Sequence, residues 1–113
     1  MKNYSWIDVL PVAATVADKG GTIVYMNEKA IDTFKDDGGK ELIGKNLFEC
    51  HQPESNKTIQ KILDDRFHNI YTISKKGKKK LIYQVPWIEN NEVKGIVELS
   101  LEIPSEMPHF DRD

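Results

Sequence analysis

The chain has 113 residues and a formal net charge of −2. This length predicts one domain, residues 1–113, with a single core. The small net charge excludes a general attraction to nucleic acid or to anionic lipid, and no apolar run is long enough to span a membrane. Cys50 is the only cysteine, so no internal disulfide can form. Together these features predict a cytoplasmic protein.

Residues 1–10 are predicted to form a short amphipathic cap helix that ends before Pro11, because proline cannot continue a helix. Its apolar side chains Trp6, Ile7 and Leu10 would expose too much apolar surface on a lone helix. We therefore expect them to pack on a sheet or across a two-fold dimer interface.

The next segment predicts a strand, a tight turn, a second strand and a helix. Small and β-branched residues run up to Ala17, and Asp18-Lys19-Gly20-Gly21 follows with residues typical of a hairpin turn. A β-rich run resumes over residues 22–26. The side chain of Asn27 can accept a backbone N–H, so we predict that it caps a helix over residues 28–34.

A second helix is predicted after the polar loop at residues 35–40. Ser55 is the predicted N-cap of this helix, and its apolar stripe consists of Ile59, Ile62, Leu63 and Phe67. His68 is predicted to lie at the helix end, where a cationic side chain meets free carbonyl groups, in a structural role.

Three strands are predicted in the second half, over residues 70–74, 80–89 and 93–103. In the last of them Leu99 and its neighbours two residues away are apolar, whereas Glu98 and Ser100 lie on the opposite face.

Two segments at the ends of these strands are also informative. The turn at residues 75–80 carries five lysines, which we interpret as a solvated turn that blocks edge pairing. In the tail, residues 104–113, two prolines prevent a continuous helix, and we expect Met107 and Phe110 to dock the tail on the domain or on a partner.

This order of elements resembles the PAS domain over residues 8–103, and the segment Leu42-Ile43-Gly44-Lys45 is similar to one common in that family. The resemblance implies an α+β fold, with a five-stranded antiparallel sheet, helices on one face, and the first two strands in the centre. It also implies a core at residues 11–103 between a cap helix and a tail. In related domains the space between helices and sheet holds a small molecule or cofactor.

The residues expected in that space are Ile31, Phe34, Leu42, Phe48, Ile59, Leu63, Phe67, Tyr83 and Leu99. We favour the interpretation that these side chains simply fill the core. The alternative is a pocket for a small apolar ligand, in which Tyr25, Asn27 and Tyr83 would be the polar anchors.

The segment from Cys50 to Ser55 resembles the Cys-His-x-Pro-x-Ser segment of a prokaryotic PAS subgroup. A thiolate or an imidazole can ligate haem iron, but adjacent residues rarely bind one metal, and no zinc-site spacing is present. We favour a buried Cys50 and a turn residue at His51, with a haem or redox role as the alternative. Flavin is not expected, because Leu47 stands where flavin-binding relatives carry a reactive cysteine.

The predicted function is a cytoplasmic sensory or signal-transduction module that binds a small ligand or a signalling protein and forms a homodimer. The alternative is haem or redox sensing through Cys50 or His51. The sequence contains no catalytic triad, phosphate-binding loop or paired-carboxylate motif, so no enzyme activity is expected.

Overall fold

A computed structural model describes residues 5–50 and 53–113, with the backbone alone at Cys50. The elements are α1 (Trp6–Val9), β1 (Ala13–Asp18), β2 (Ile23–Met26), α2 (Glu28–Thr33), α3 (Leu47–Cys50), α4 (Pro53–Asp65), β3 (Asn69–Lys75), β4 (Lys78–Glu89) and β5 (Glu92–Ile103). Two 3₁₀ turns, Lys35–Asp37 and Gly39–Leu42, connect α2 to α3. The predicted α+β fold is confirmed, with strand ends close to those expected.

The strands form one antiparallel sheet in the order β2-β1-β5-β4-β3. The prediction that the first two strands are central is wrong for β2, which forms an edge of the sheet. The last strand takes the middle position because it pairs along one side with β1 and along the other with β4. The last strand of the chain is therefore the central strand of the sheet.

The hairpin between β1 and β2 turns where the sequence predicts it. The Asp18 carboxylate accepts hydrogen bonds from the backbone N–H groups of Gly20 and Thr22, at 3.0 and 2.9 Å. Gly21 has a φ of +90°, and a Cβ there would lie 2.6 Å from the ring of Phe48. Glycine is required at this position on both counts.

The long helix α4 begins at Pro53, so the prediction of Ser55 as its N-cap is wrong. Proline suits the first helical turn, because its φ is fixed near the helical value and its missing N–H has no partner there in any case. The helix ends at Asp65, and Phe67 and His68 follow it. The His68 side chain is exposed, with its ring centroid 6.4 Å from that of Tyr83.

The core consists of two apolar clusters between the helices and the sheet. The first is centred on Ala13, Ile23, Met26 and Ala30, with Ile31, Phe34, Leu42 and Leu47 packed against it. The second is centred on Ile59, Ile62, Leu63 and Ile96, with Leu47, Phe48, Phe67 and Val93 packed against it. Leu47 belongs to the rim of both clusters and so joins them.

The inner face of the sheet is the one turned toward the helices. Ile96 lies on it, because it packs against α4. Cross-strand partners and alternation place further residues on the same face, among them Ala13, Thr15, Ala17, Asn69, Tyr71, Ile82, Gln84, Glu98 and Ser100. The outer face carries Ala14, Val16, Ile70, Leu81, Tyr83, Val85, Val97, Leu99 and Leu101. The placement of Tyr83 and Leu99 between helices and sheet is therefore wrong.

The two chain ends differ from expectation. Met107 and Phe110 are 60% and 67% exposed, so the prediction that they dock the tail on the domain is wrong. Docking would have to offset the entropy of ordering the whole tail, which two side chains do not achieve. Ile7 in α1 and Leu10 just after it are half-buried, but Trp6 is 68% exposed. Within the described part of the chain, no helix has the length and apolar character needed to cross a membrane.

Candidate ligand-binding cleft

A row of polar side chains crosses three strands on the inner face. The side-chain amide of Asn69 donates to Gln84 Oε1 at 2.7 Å, and Gln84 Nε2 donates to Glu98 Oε1 at 2.7 Å. The row forms because Asn69 pairs with Gln84 on the neighbouring strand, and Gln84 pairs with Glu98 on the next. We call these three residues the polar ladder. It fixes the orientation of the Gln84 amide and brings its donor to the carboxylate.

Three cavities lie between the inner face and the helices, and Glu98 lines all of them. A cavity of about 360 Å³ is bounded by Thr15, Ile23, Met26, Phe34, Asp37, Leu42, Leu47 and Glu98. A second, of about 380 Å³, is bounded by Ser55, Thr58, Ile59, Asn69, Tyr71, Gln84 and Glu98. A small one of about 50 Å³ between them shares lining residues with both. We call the three together the inner cleft.

The charged residues that the structure places on the inner cleft are both acidic, Asp37 and Glu98. Glu98 takes part in none of the ion pairs found among the described residues. Burial, reinforced by the negative charge of Glu98, raises the pKa of the Tyr71 phenol above its usual value of 10.0. The cleft therefore combines one largely apolar cavity, one largely polar cavity and a negative charge that both share.

Part of the predicted pocket set lies in this region. Ile31, Phe34, Leu42, Phe48, Ile59, Leu63 and Phe67 all pack between the helices and the sheet, and of these Phe34, Leu42 and Ile59 line the cavities. The remaining four fill the core around them. Tyr83 and Leu99 lie on the other side of the sheet.

Asn27 is 1% exposed, and its amide is fully used by the protein. Its Oδ1 accepts from the backbone N–H groups of Ala14 and Ala30, both at 2.9 Å. Its Nδ2 donates to the carbonyl oxygens of Ile7 and Val12, at 2.9 and 2.8 Å. The predicted helix cap is present, and the same side chain also joins α1 and β1 to α2. No hydrogen-bonding capacity of this amide is left for a ligand.

Tyr25 lies at the edge of the outer face, next to α1. Its hydroxyl donates a hydrogen bond to the Asp8 carboxylate. Burial is the largest cause, and the hydrogen bond and charge of Asp8 the next, of the rise in the Tyr25 pKa to about 12. Tyr25 thus holds the cap helix and does not line the inner cleft.

The side chain of Cys50, and His51 entirely, lie outside the described residues. The described histidines are His68, which is exposed beyond α4, and His109, in the exposed tail. Neither lines a cavity of the inner cleft.

Sequence reasoning missed Glu98, Gln84, Asn69, Thr15 and Tyr71 as site residues. It placed Leu99 between the helices and the sheet, and Glu98 on the opposite face, because an alternating strand is usually apolar toward the helices. The available signal was the spacing of Asn69, Gln84 and Glu98 along the chain. These residues become neighbours across the strands only when the two hairpins are paired in register.

Comparisons with known proteins agree with this architecture. A family model described as a PAS domain matches residues 11–100. No curated protein matches the chain. Among solved structures, a C-terminal domain from Streptococcus mutans has a TM-score of 0.67 and 19% sequence identity, over 85% of this chain and 78% of that one.

Two further similar structures come from PAS proteins. The Aer2 receptor from Vibrio cholerae, a dual PAS-heme oxygen sensor, has a TM-score of 0.61 and 18% identity over 82% of this chain and 95% of that one. The PAS domain of BvgS from Bordetella pertussis has a TM-score of 0.61 and 21% identity over 88% of this chain and 82% of that one. At such identities the similarity shows the fold alone.

Proposed function

Because the chain belongs to the PAS domain family of sensory domains, we propose that it is a cytoplasmic signal-transduction module that binds a small molecule in the inner cleft. The observation that carries this proposal is the set of three cavities that meet at Glu98, one of which has mainly apolar walls with a few convergent polar groups beside it. The role is one of binding, with no catalytic step.

The contacts of α2 offer a route from the cleft to the cap helix. Phe34, directly after α2, lines the cavity of about 360 Å³, and the first turn of α2 is capped by Asn27. The amide of Asn27 also holds the carbonyl group of Ile7 in α1. A ligand that favours one position of α2 would therefore shift the population of docked α1, which a partner protein can detect.

A fragment library screened by protein-observed NMR tests ligand binding. We expect some fragments to change the chemical shifts of the backbone amides of Thr15, Gln84 and Glu98, since these residues line the cavities. Thr15→Phe fills part of the cleft and should abolish those shifts. The matched control Val24→Phe, at a 46% exposed position on β2, should leave them unchanged. A folded wild-type protein that gives no cleft shifts with any fragment would contradict the proposal.

We also propose that a second copy of the chain covers the outer face. The apolar residues of that face form a continuous stripe across β3, β4, β5 and β1, and α1 with its exposed Trp6 borders it. Most of these side chains are half-buried and Ile70 is 49% exposed, and apolar patches that remain accessible to solvent are typical of protein interfaces. Tyr25 and Asn27 connect this border of the sheet to α2, so the interface would lie where the ligand signal arrives.

Sedimentation velocity over a concentration series tests the dimer. We expect wild type to associate and Trp6→Glu to weaken that association. Because Trp6 is 68% exposed, the substitution should leave stability unchanged. The control Ile43→Glu changes a 38% exposed position in the segment between the second 3₁₀ turn and α3, and it should associate like wild type. Monomeric wild type at every concentration would refute the homodimer and leave the face to a signalling protein.

The haem or redox alternative depends on Cys50 and His51. An absorption spectrum of protein from haem-replete cells tests it, and a Soret band that disappears in His51→Ala or Cys50→Ala would support it. The small-molecule proposal expects a colourless protein.

A further inference from the structure

We propose that the inner cleft binds an organic cation, a protonated amine on an apolar body, with Glu98 as its counter-ion. This inference rests on the proposed ligand binding in the same cleft and adds the chemical class of the ligand.

The charged residues that line the cleft are acidic. The part of the cleft that the structure describes carries two carboxylates, Asp37 and Glu98, and no lysine or arginine. Glu98 is half-buried and forms no ion pair with a described cation. A carboxylate in such a site attracts a cation more strongly than it would in bulk water, and it repels carboxylates and phosphates.

Hydrogen bonding points to the same ligand. Glu98 Oε1 accepts from Gln84, whose amide is held in place by Asn69. None of the hydrogen bonds found among the described residues uses Glu98 Oε2. An ionised carboxylate accepts and cannot donate, so the complementary ligand group is a donor, and an N⁺–H donor forms the stronger, charge-assisted bond.

The walls define the rest of the ligand. Next to Glu98, the cavity of about 360 Å³ is lined by Met26, Phe34 and Leu47, which suit an aliphatic chain or an aromatic ring. Asp37 lines the same cavity, so it adds a second negative charge to the field that a ligand meets there. An amine with one ring or a short alkyl chain matches this arrangement of charge and apolar surface.

A charge series on a constant apolar body tests the inference. Benzylamine, phenethylamine and 4-phenylbutylamine are each compared with the corresponding alcohol and carboxylate by calorimetry and NMR. We expect the amines to bind at least about tenfold more tightly than the alcohols, since one charge-assisted hydrogen bond distinguishes them, and the carboxylates to bind most weakly.

Two isosteric variants locate the effect. Glu98→Gln removes the charge but keeps an acceptor for Gln84, so amine binding should weaken by about tenfold or more while alcohol binding stays within about twofold of wild type. The control Glu102→Gln removes an exposed carboxylate of the same strand, which pairs with Lys78 outside the cleft, and should leave both unchanged.

The outcomes separate the two proposals. Equal affinity of amines and alcohols, or tighter binding of carboxylates, would overturn the cation inference while leaving ligand binding in place. The same holds if neutral fragments shift the cleft amides and no amine does. If neither the series nor the fragment library shifts those amides, the proposed function itself fails.

Discussion

Replacing Asn27 by alanine removes the side chain that joins three elements of the fold. Four hydrogen bonds are lost, to the N–H groups of Ala14 and Ala30 and to the carbonyl groups of Ile7 and Val12. Each contributes about 1 kcal/mol net, and more where the abandoned group stays buried without water. We therefore expect a loss of about 4 kcal/mol from a total stability of about 5–15 kcal/mol.

Urea unfolding measures this loss. With a slope of about 1–3 kcal/mol per molar urea, the midpoint should fall by about 2 M. Asn27→Ser keeps an acceptor for the Ala30 N–H but cannot reach both carbonyl groups, so it should lie between wild type and Asn27→Ala. The control Asn46→Ala also loses two hydrogen bonds, but these lie closer to solvent than those of Asn27. Water can replace them in part, so the variant should lose only about 1 kcal/mol of stability.

The comparison of Asn27→Ala with Asn46→Ala tests whether the four hydrogen bonds of Asn27 stabilise the fold. If Asn27→Ala is no more destabilising than Asn46→Ala, the four bonds do not act as described. Amide hydrogen exchange gives a local check, because the N–H groups of Ala14 and Ala30 should be protected in wild type and exchange faster in Asn27→Ala.

Three further outcomes are expected. Gly95→Ala should lower stability by more than about 3 kcal/mol in thermal unfolding, because the new Cβ would overlap the backbone carbonyl of Ala17; Gly20→Ala should cost little, and equal costs would refute the overlap. In the folded state the Tyr25 pKa is raised from 10.0 to about 12. The folding stability that this shift contributes is therefore complete below pH 10 and is lost as the pH rises to about 12. Tyr25→Phe should remove this pH dependence, and an unchanged profile would contradict the raised pKa of Tyr25. Deleting residues 104–113 should leave the unfolding midpoint unchanged, since Met107 and Phe110 are exposed, whereas a lower midpoint would mean that the tail docks.

Local signals in the sequence predicted local structure well. The turn at Asp18 and the cap at Asn27 depend on hydrogen bonds within a few residues, and both lie where expected. The predicted start of α4 was wrong because Ser55 and Pro53 both suit a helix N-terminus, and the sequence alone does not show at which of them the helix begins.

Long-range features were not predictable in the same way. Alternation in β5 separates Glu98 from Leu99 correctly, but it does not say which side the helices cover. The structure puts the helices over the side with Glu98, so this carboxylate lines the cavities between the helices and the sheet. The central position of β5 likewise follows from pairings that no local motif encodes.

The pairing of β1 with β5 also constrains how the chain folds. Ala13 lies opposite Ser100, so nearly the whole sequence is made before this ladder can form. Until then the β1–β2 hairpin has an unpaired edge, and two-stranded hairpins alone are marginal in water. Closing so long a loop is entropically costly and slows folding. During synthesis the early hairpin is therefore the segment most in need of protection from intermolecular strand pairing, until β5 emerges to cover it.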